Sequence, residues 1–283
     1  MFDFPTVPTE IERLCVETAI SDIVWDCAGC PDVIPALILT CKRFKTWCYP
    51  YIYRSIRIED EDKIPLLRRT LLESPSLASL VQVLILPDEA QLDDVLSIVP
   101  LCHNLTSLMY WQTEFHGEVV ALREHNALRR LCCFFDLFFS KPNDWNPSPF
   151  MQLTHLDLAT HDESWYPALA TLTNLSYLFI ELVPDTYDLP LLAEHLPVNL
   201  RVCVLFINQR WSEGDVVNVK PYASGEVDKR IVLGSFYDAG LSTQYVHRTI
   251  AEVRLEWTTY ARGRSFWEEA ESIVNQRSVL KES

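Results

Sequence analysis

One apolar pattern recurs six times between Leu80 and Ile207. Each copy is an apolar residue, two variable positions, a second apolar residue, one variable position and a third apolar residue. The copies are Leu80-Val83-Ile85, Leu105-Leu108-Tyr110, Leu128-Leu131-Cys133, Leu153-Leu156-Leu158, Leu175-Leu178-Ile180 and Leu200-Cys203-Leu205. Their first residues are 25, 23, 25, 22 and 25 apart. The second and third apolar positions are two residues apart, so they share one face of a strand. One strand with its return cannot bury that face alone. Copies stacked side by side form a parallel sheet with a continuous apolar seam. The roughly 15 residues between strands suffice for a short crossover helix.

A period near 24 headed by Leu-x-x-Leu-x-Leu resembles the leucine-rich repeat. The resemblance implies an α/β solenoid with a parallel sheet. Such repeats place Asn or Cys three residues after the last patterned position, tying neighbouring turns together. The corresponding residues here are Asp88, Thr113, Asp136, His161, Val183 and Asn208. Only Asn208 fits, so the array is expected to be degenerate and irregular.

Apolar spacing predicts return helices over 88–99, 118–125, 164–172 and 189–196. The return over 139–151 holds Pro142, Pro147 and Pro149 and is expected to be loop, with Trp145 either a core anchor or a contact residue. Beyond Ile207 the rhythm weakens. Residues 211–226 read as a long loop and 230–236 as a seventh strand. Segments 247–262 and 265–276 read as helices, the second opened by a Ser265/Glu268 capping box. Their apolar faces, with Trp257, Tyr260, Phe266, Trp267, Ile273 and Val274, suit a helical cap ending the array.

Before the repeats, Pro8 and a Thr9/Glu12 capping box open a helix whose Ile11, Leu14, Cys15 and Thr18 share one face. Ile34, Leu37, Ile38, Cys41, Phe44 and Cys48 recur at helical spacing from Pro35 to Pro50. Residues 54–58 alternate like a short strand. The acidic run Glu59-Asp60-Glu61-Asp62 is expected to be a solvated turn. Residues 63–72 form a compact helix, expected to cap the open edge of the first repeat.

Val7-Pro8, Glu10-Ile11, Leu14, Leu37, Cys41-Lys42-Arg43-Phe44, Trp47 and Pro50-Tyr51-Ile52-Tyr53-Arg54 occur in the order of an F-box. With repeats behind it, the arrangement resembles fungal F-box proteins. The resemblance implies the substrate-recognition subunit of a cullin–RING (SCF-type) ubiquitin ligase, bound through a Skp-type adaptor. Adaptor contacts carry over to Val7, Pro8, Ile11, Leu14, Leu37, Ile38, Cys41, Phe44 and Trp47; the other reading of the same residues is the core of a small helical cap. The alternative role is a repeat scaffold for protein interactions without a ligase. The expected division is an F-box-like helical domain over 1–58, a solenoid over 59–236 and a helical cap over 237–283.

The strand side facing away from the seam holds Leu84, Met109, Trp111, Arg130, Phe134, His155, Asp157, Tyr177, Phe179, Glu181, Val204 and Phe206. An aromatic face of this kind is either a protein-substrate site, with Met109, Trp111, Phe134, His155, Tyr177, Phe179 and Phe206 as its contacts, or a face covered by the carboxy-terminal segment.

The chain carries a net charge of −15, which opposes a broad nucleic-acid surface and favours a basic or neutral protein partner. No secretory leader or membrane span is expected. The nine cysteines are scattered and odd in number, in keeping with reduced thiols and a cytoplasmic or nuclear location. Asn104-Leu105-Thr106 and Asn174-Leu175-Ser176 match a glycosylation acceptor by accident. Cys27-x-x-Cys30 with Cys41 and Cys48 has loose zinc spacing, and buried thiols are the better reading. No phosphate loop or nucleophile elbow is present, so neither a catalytic residue nor a metal or cofactor is expected.

Overall fold

The computed structural model of the chain describes residues 8–25, 33–87, 90, 92–110, 127–134, 150–159, 166–182, 188–207, 213–235, 245–249, 252, 256–257 and 265–282. These hold a sheet of nine parallel strands, hydrogen-bonded in chain order. They are β1 (Ser55–Arg57), β2 (Val83–Ile85), β3 (Ser107–Tyr110), β4 (Arg130–Phe134), β5 (His155–Ala159), β6 (Tyr177–Leu182), β7 (Val202–Ile207), β8 (Ile231–Ser235) and β9 (Tyr245–His247).

Strands that pair only with their neighbours in sequence, with the described return helices packed into one core, make a solenoid-like α/β body. The register shows why it holds. Leu84, Leu108, Leu131, Leu156, Leu178, Cys203 and Ile231 stand opposite one another in a single column. Tyr110, Cys133, Leu158, Ile180, Leu205 and Leu233 form the next column. Both lie in one continuous core with the head residues Leu105, Leu128, Leu153, Leu175 and Leu200.

The first copy of the pattern is out of phase by one residue. Val81, Leu84 and Leu86 enter the main core, while Val83 and Ile85 face the other way. A slip of one residue exchanges the two faces of a strand. Leu84 therefore belongs to the seam and not to the outward side.

The returns supply the second layer of that core. They include α4 (Ile64–Glu73), α5 (Pro75–Ala78), α6 (Leu92–Ile98), α7 (Tyr166–Leu169), α8 (Leu189–Glu194) and α9 (Glu213–Ala223). The expected helix over 118–125 and the proline-rich return over 139–149 lie outside the described residues. Helix α4 does not cap the array edge as expected. Strand β1 pairs beyond β2, which makes α4 an ordinary return whose Ile64, Leu67 and Leu71 enter the shared core.

Helix α9 replaces the long loop expected over 211–226 despite Pro221 in its last turn. Its Val219, Tyr222 and Ala223 are buried in the main core, and that packing outweighs poor local propensity. Residues 245–247 form β9, which takes only His247 from the helix expected over 247–262; Glu252, Glu256 and Trp257 are helical.

The turns that enter successive strands are tied by amide side chains. Asn104 Nδ2 donates to the Ser79 carbonyl at 2.7 Å, Asn174 to Met151 at 2.6 Å and Asn199 to Thr173 at 2.8 Å. Each Asn immediately precedes a head leucine. Asn104 and Asn174 are the residues of the two apparent glycan acceptors, and their amides serve this ladder. The Thr106 and Thr154 hydroxyls add donations to Gln82 and Arg129 carbonyls.

In front of the sheet stand α1 (Thr9–Trp25), α2 (Val33–Thr40) and α3 (Lys42–Arg54). The single helix expected up to Pro50 is broken at Cys41, whose backbone is extended at φ −160° and ψ 162°. Pro50 does not stop α3, which continues to Arg54 and runs directly into β1. Thr9 lies inside α1. The Pro8 carbonyl accepts from the Ile11 and Glu12 N–H groups, and Glu12 pairs with Arg43 of α3 at 3.3 Å.

The last helix, α10 (Phe266–Glu282), opens with the expected box: Ser265 N–H donates to Glu268 Oε2 and Glu268 N–H to Ser265 Oγ. It does not cap the end of the array. It lies across the outward face of the sheet, where Phe266, Trp267, Ala270, Ile273 and Val274 pack on Phe179, Val202, Val204, Phe206, Val232 and Val246. Among the described residues no helix is long and apolar enough to cross a membrane.

Candidate functional site

Two regions present chemistry that the core does not need. The first is the outer side of the front helices. Helix α1 buries Val16 and Ile20 against Cys48, with Leu37, Ile38, Phe44 and Trp47 packed around them. Its apolar stripe points the other way: Ile11 is 49% exposed, Leu14 is 59% exposed, and Cys15 is exposed. Leu39 of α2 is 84% exposed. Ile11 and Leu14, three residues apart on α1, make a small exposed apolar stripe of the kind that a partner covers.

The nine residues expected to meet an adaptor therefore divide. Pro8, Ile11 and Leu14 are on the surface, and Leu37, Ile38, Cys41, Phe44 and Trp47 are half-buried. Val7 lies outside the described residues. Phe44 and Trp47 stack at 5.5 Å, with the Arg43 guanidinium 5.9 Å from the Trp47 ring. Leu39 was not among the expected contacts. Its signal was the run Leu37-Ile38-Leu39, which is wider than one buried helix face.

The second region is the sheet face expected to hold a substrate. Phe179 and Phe206 are buried beneath α10, with their rings 4.9 Å apart. Met109 is buried with Val83, Ile85 and Cys132 beneath Trp257. His155 is half-buried and stacks on Tyr177 at 4.5 Å, near Trp267. Tyr177 donates to Glu271 Oε1 at 2.8 Å and accepts from Arg201 at 2.9 Å. Trp111 and the side chain of Phe134 lie outside the described residues. Of the two readings of this face, cover by the carboxy-terminal segment is the one observed; Phe179, Phe206 and Met109 are core residues and not open contacts.

Between the two apolar patches lies a buried charge cluster that sequence reasoning missed. Arg248, just after β9, is 1% exposed, and Asp157 on β5 is 2% exposed. Arg248 Nη1 is 3.7 Å from Asp157 Oδ2, and its Nη2 is 3.1 Å from Glu256 Oε2. Trp257 Nε1 donates to Asp157 Oδ2 at 3.2 Å. The Arg130 guanidinium donates to the Glu256 carbonyl and lies 4.6 Å from the Trp257 ring. Arg248 also faces the Phe266 ring at 4.4 Å and the Phe179 ring at 5.6 Å. Sequence held one hint of it, a charged pair, Arg130 and Asp157, among aromatic outward positions.

Burial pushes the Asp157 and Glu256 carboxyls up; Arg248 and Arg130 pull both back, and the Trp257 N–H pulls Asp157 back further. Burial, and then Arg130, push His155 down to about 3. Among the described residues the Arg248 N–H groups, Arg130 Nε, Asp157 Oδ1 and Glu256 Oε1 have no hydrogen-bond partner of good geometry. No group of three His, Cys, Asp or Glu side chains there is placed to hold a metal ion. Cys27 and Cys30 lie outside the described residues; Cys48 is a buried thiol packed on Val16 and Ile20.

No family model, curated protein or solved structure matches this chain.

Proposed function

We propose that the chain is a non-catalytic substrate receptor of a cullin–RING (SCF-type) ubiquitin ligase: an F-box-like front end that binds a Skp-type adaptor, and a leucine-rich-repeat body that holds a protein substrate. The observation that carries the reading is the outward-facing stripe of α1. Ile11 and Leu14 stand exposed although Val16 and Ile20 of the same helix are buried. A helix built only to close a small core would keep its large apolar side chains inward. Leu39 on α2 adds a second exposed apolar side chain. The order of F-box-like residues ahead of a repeat array supplies the kind of partner.

The test is capture of the full-length chain by a purified Skp-type adaptor. Wild type is expected to be retained. Ile11→Asp and Leu14→Asp are expected to abolish retention while the thermal midpoint stays unchanged, because both side chains already face water. Failure of the wild type to bind, or retention indifferent to both substitutions, would leave a scaffold that works without a ligase.

A further inference from the structure

Helix α3 is a basic island in an acidic chain. Its 13 residues carry Lys42, Arg43, Lys45 and Arg54 and no acidic side chain, while the whole chain stands at −15. One face of the helix is core: Cys48 is buried with Val16 and Ile20 of α1, and Phe44, Trp47, Tyr51 and Ile52 pack around it. On the opposite face Lys42, Lys45, Tyr49 and Tyr53 follow at steps of three or four residues and form one stripe about 16 Å long. Both lysines are exposed and both tyrosines half-buried. Lys45 Nζ lies 5.5 Å from the centre of the Tyr49 ring, and Tyr49 meets Tyr53 edge-on with ring centres 5.5 Å apart. Side chains already held in place lose less entropy when a partner binds. The other two cations of α3 are used within the chain: Arg43 pairs with Glu12 at 3.3 Å, and Arg54 Nε donates to Gln82 Oε1 at 3.0 Å. Lys42 and Lys45 have no carboxylate partner among the described residues.

We infer that this stripe is a docking surface for a short acidic segment of a partner protein. Charge complementarity sets the class of occupant: aspartate or glutamate side chains meet Lys42 and Lys45, and the tyrosine hydroxyls further along supply neutral donors. A nucleic acid or an anionic membrane would meet the repulsive field of the whole chain, and two lysines release too few counterions to overcome it. A short segment feels charges only within about 8 Å at physiological salt, so its contact is set by α3 itself. The stripe is separate from the surface given to the adaptor. Helices α1 and α3 meet through Val16, Ile20 and Cys48, so Ile11 and Leu14 lie on the far side of α1 and the stripe on the far side of α3. The inference therefore stands apart from the adaptor reading.

The test titrates the full-length chain into a fluorescein-labelled peptide of sequence Gly-Asp-Glu-Asp-Glu-Gly and reads anisotropy. Wild type is expected to bind. Lys42→Glu/Lys45→Glu is expected to weaken binding by about tenfold or more with the thermal midpoint unchanged, because both side chains already face water. Arg68→Glu/Arg69→Glu makes the same change in net charge on the exposed side of α4 and is expected to leave binding within about twofold of wild type. Should Lys42→Glu/Lys45→Glu melt early, Lys42→Gln/Lys45→Gln replaces it under the same criterion. No binding to wild type, or an equal loss in the two double variants, overturns the inference. So does tighter binding of an oligothymidylate or of phosphatidylserine vesicles than of the peptide. Adaptor capture reads Ile11 and Leu14 of α1, so the two proposals fail separately.

Discussion

His155 makes the covered face sensitive to pH. Its ring clusters with those of Tyr177 and Trp267, and burial with the nearby Arg130 holds its pKa down at about 3. The unfolded chain binds that proton near 6.5, and the folded chain stays neutral until about 3. Between those values the unfolded state holds more protons, so stability falls as pH falls. At pH 5 the loss attributable to this one residue is at most about 2 kcal/mol. Asp157 and Glu256 act in the opposite sense. Their raised pKa values favour the folded state at low pH, and that contribution is lost as pH rises through them. Urea melts at pH 7 and pH 5 separate the two effects: His155→Phe is expected to lose less stability on acidification than wild type. Gly234, buried in β8, is a second test of packing under α10. A Cβ there would lie 2.5 Å from Phe206 Cδ2 and 3.0 Å from Val204 Cγ1. Gly234→Ala is expected to lower the urea midpoint by an amount equal to about 1–3 kcal/mol, with the m-value unchanged.

Among the elements, the asparagine ladder gives the cleanest prediction. Asn199→Ala removes a 2.8 Å donation to Thr173 and is expected to cost about 1 kcal/mol in a thermal melt. Asn104→Ala and Asn174→Ala sit in different turns, so the three losses are expected to add. Strands β3 to β7 were legible in the sequence because each head leucine and its two followers share one period and one face. Strand β2 was found but phased one residue early, because Val83 and Ile85 are as apolar as Val81, Leu84 and Leu86. Both of its faces are buried, so alternation carried no signal. Helix α9 was not legible: Pro221 reads as a loop residue, and only burial of Val219 and Tyr222 makes the helix. Strand β9 has three residues, too few for any periodicity. The Thr249/Glu252 box, with donations of 2.6 and 3.2 Å, was also passed over, although its spacing matches the one recognised at Ser265.

At the scale of the molecule, two groups of large apolar side chains differ in their surroundings. Among the described residues those on both faces of the sheet are core, one face packed by the described return helices and the other by α10 and Trp257. Those on the outer stripe of α1 remain in water. Sequence periodicity identified the seam, because it repeats. It left the outward face open between a partner and a cover, since the covering segment is joined to it by chain distance and not by period. The same limit hid the charge cluster, which joins Arg130 of β4 and Asp157 of β5 to Arg248, Glu256 and Trp257. The division is tested most directly by comparing thermal midpoints of Phe179→Ala and Leu14→Ala by calorimetry. Phe179→Ala opens a cavity beneath α10 and is expected to lower Tm by roughly 10 °C, while Leu14→Ala shifts it by no more than about 2 °C. A stable Phe179→Ala chain, or a large fall for Leu14→Ala, would contradict the account.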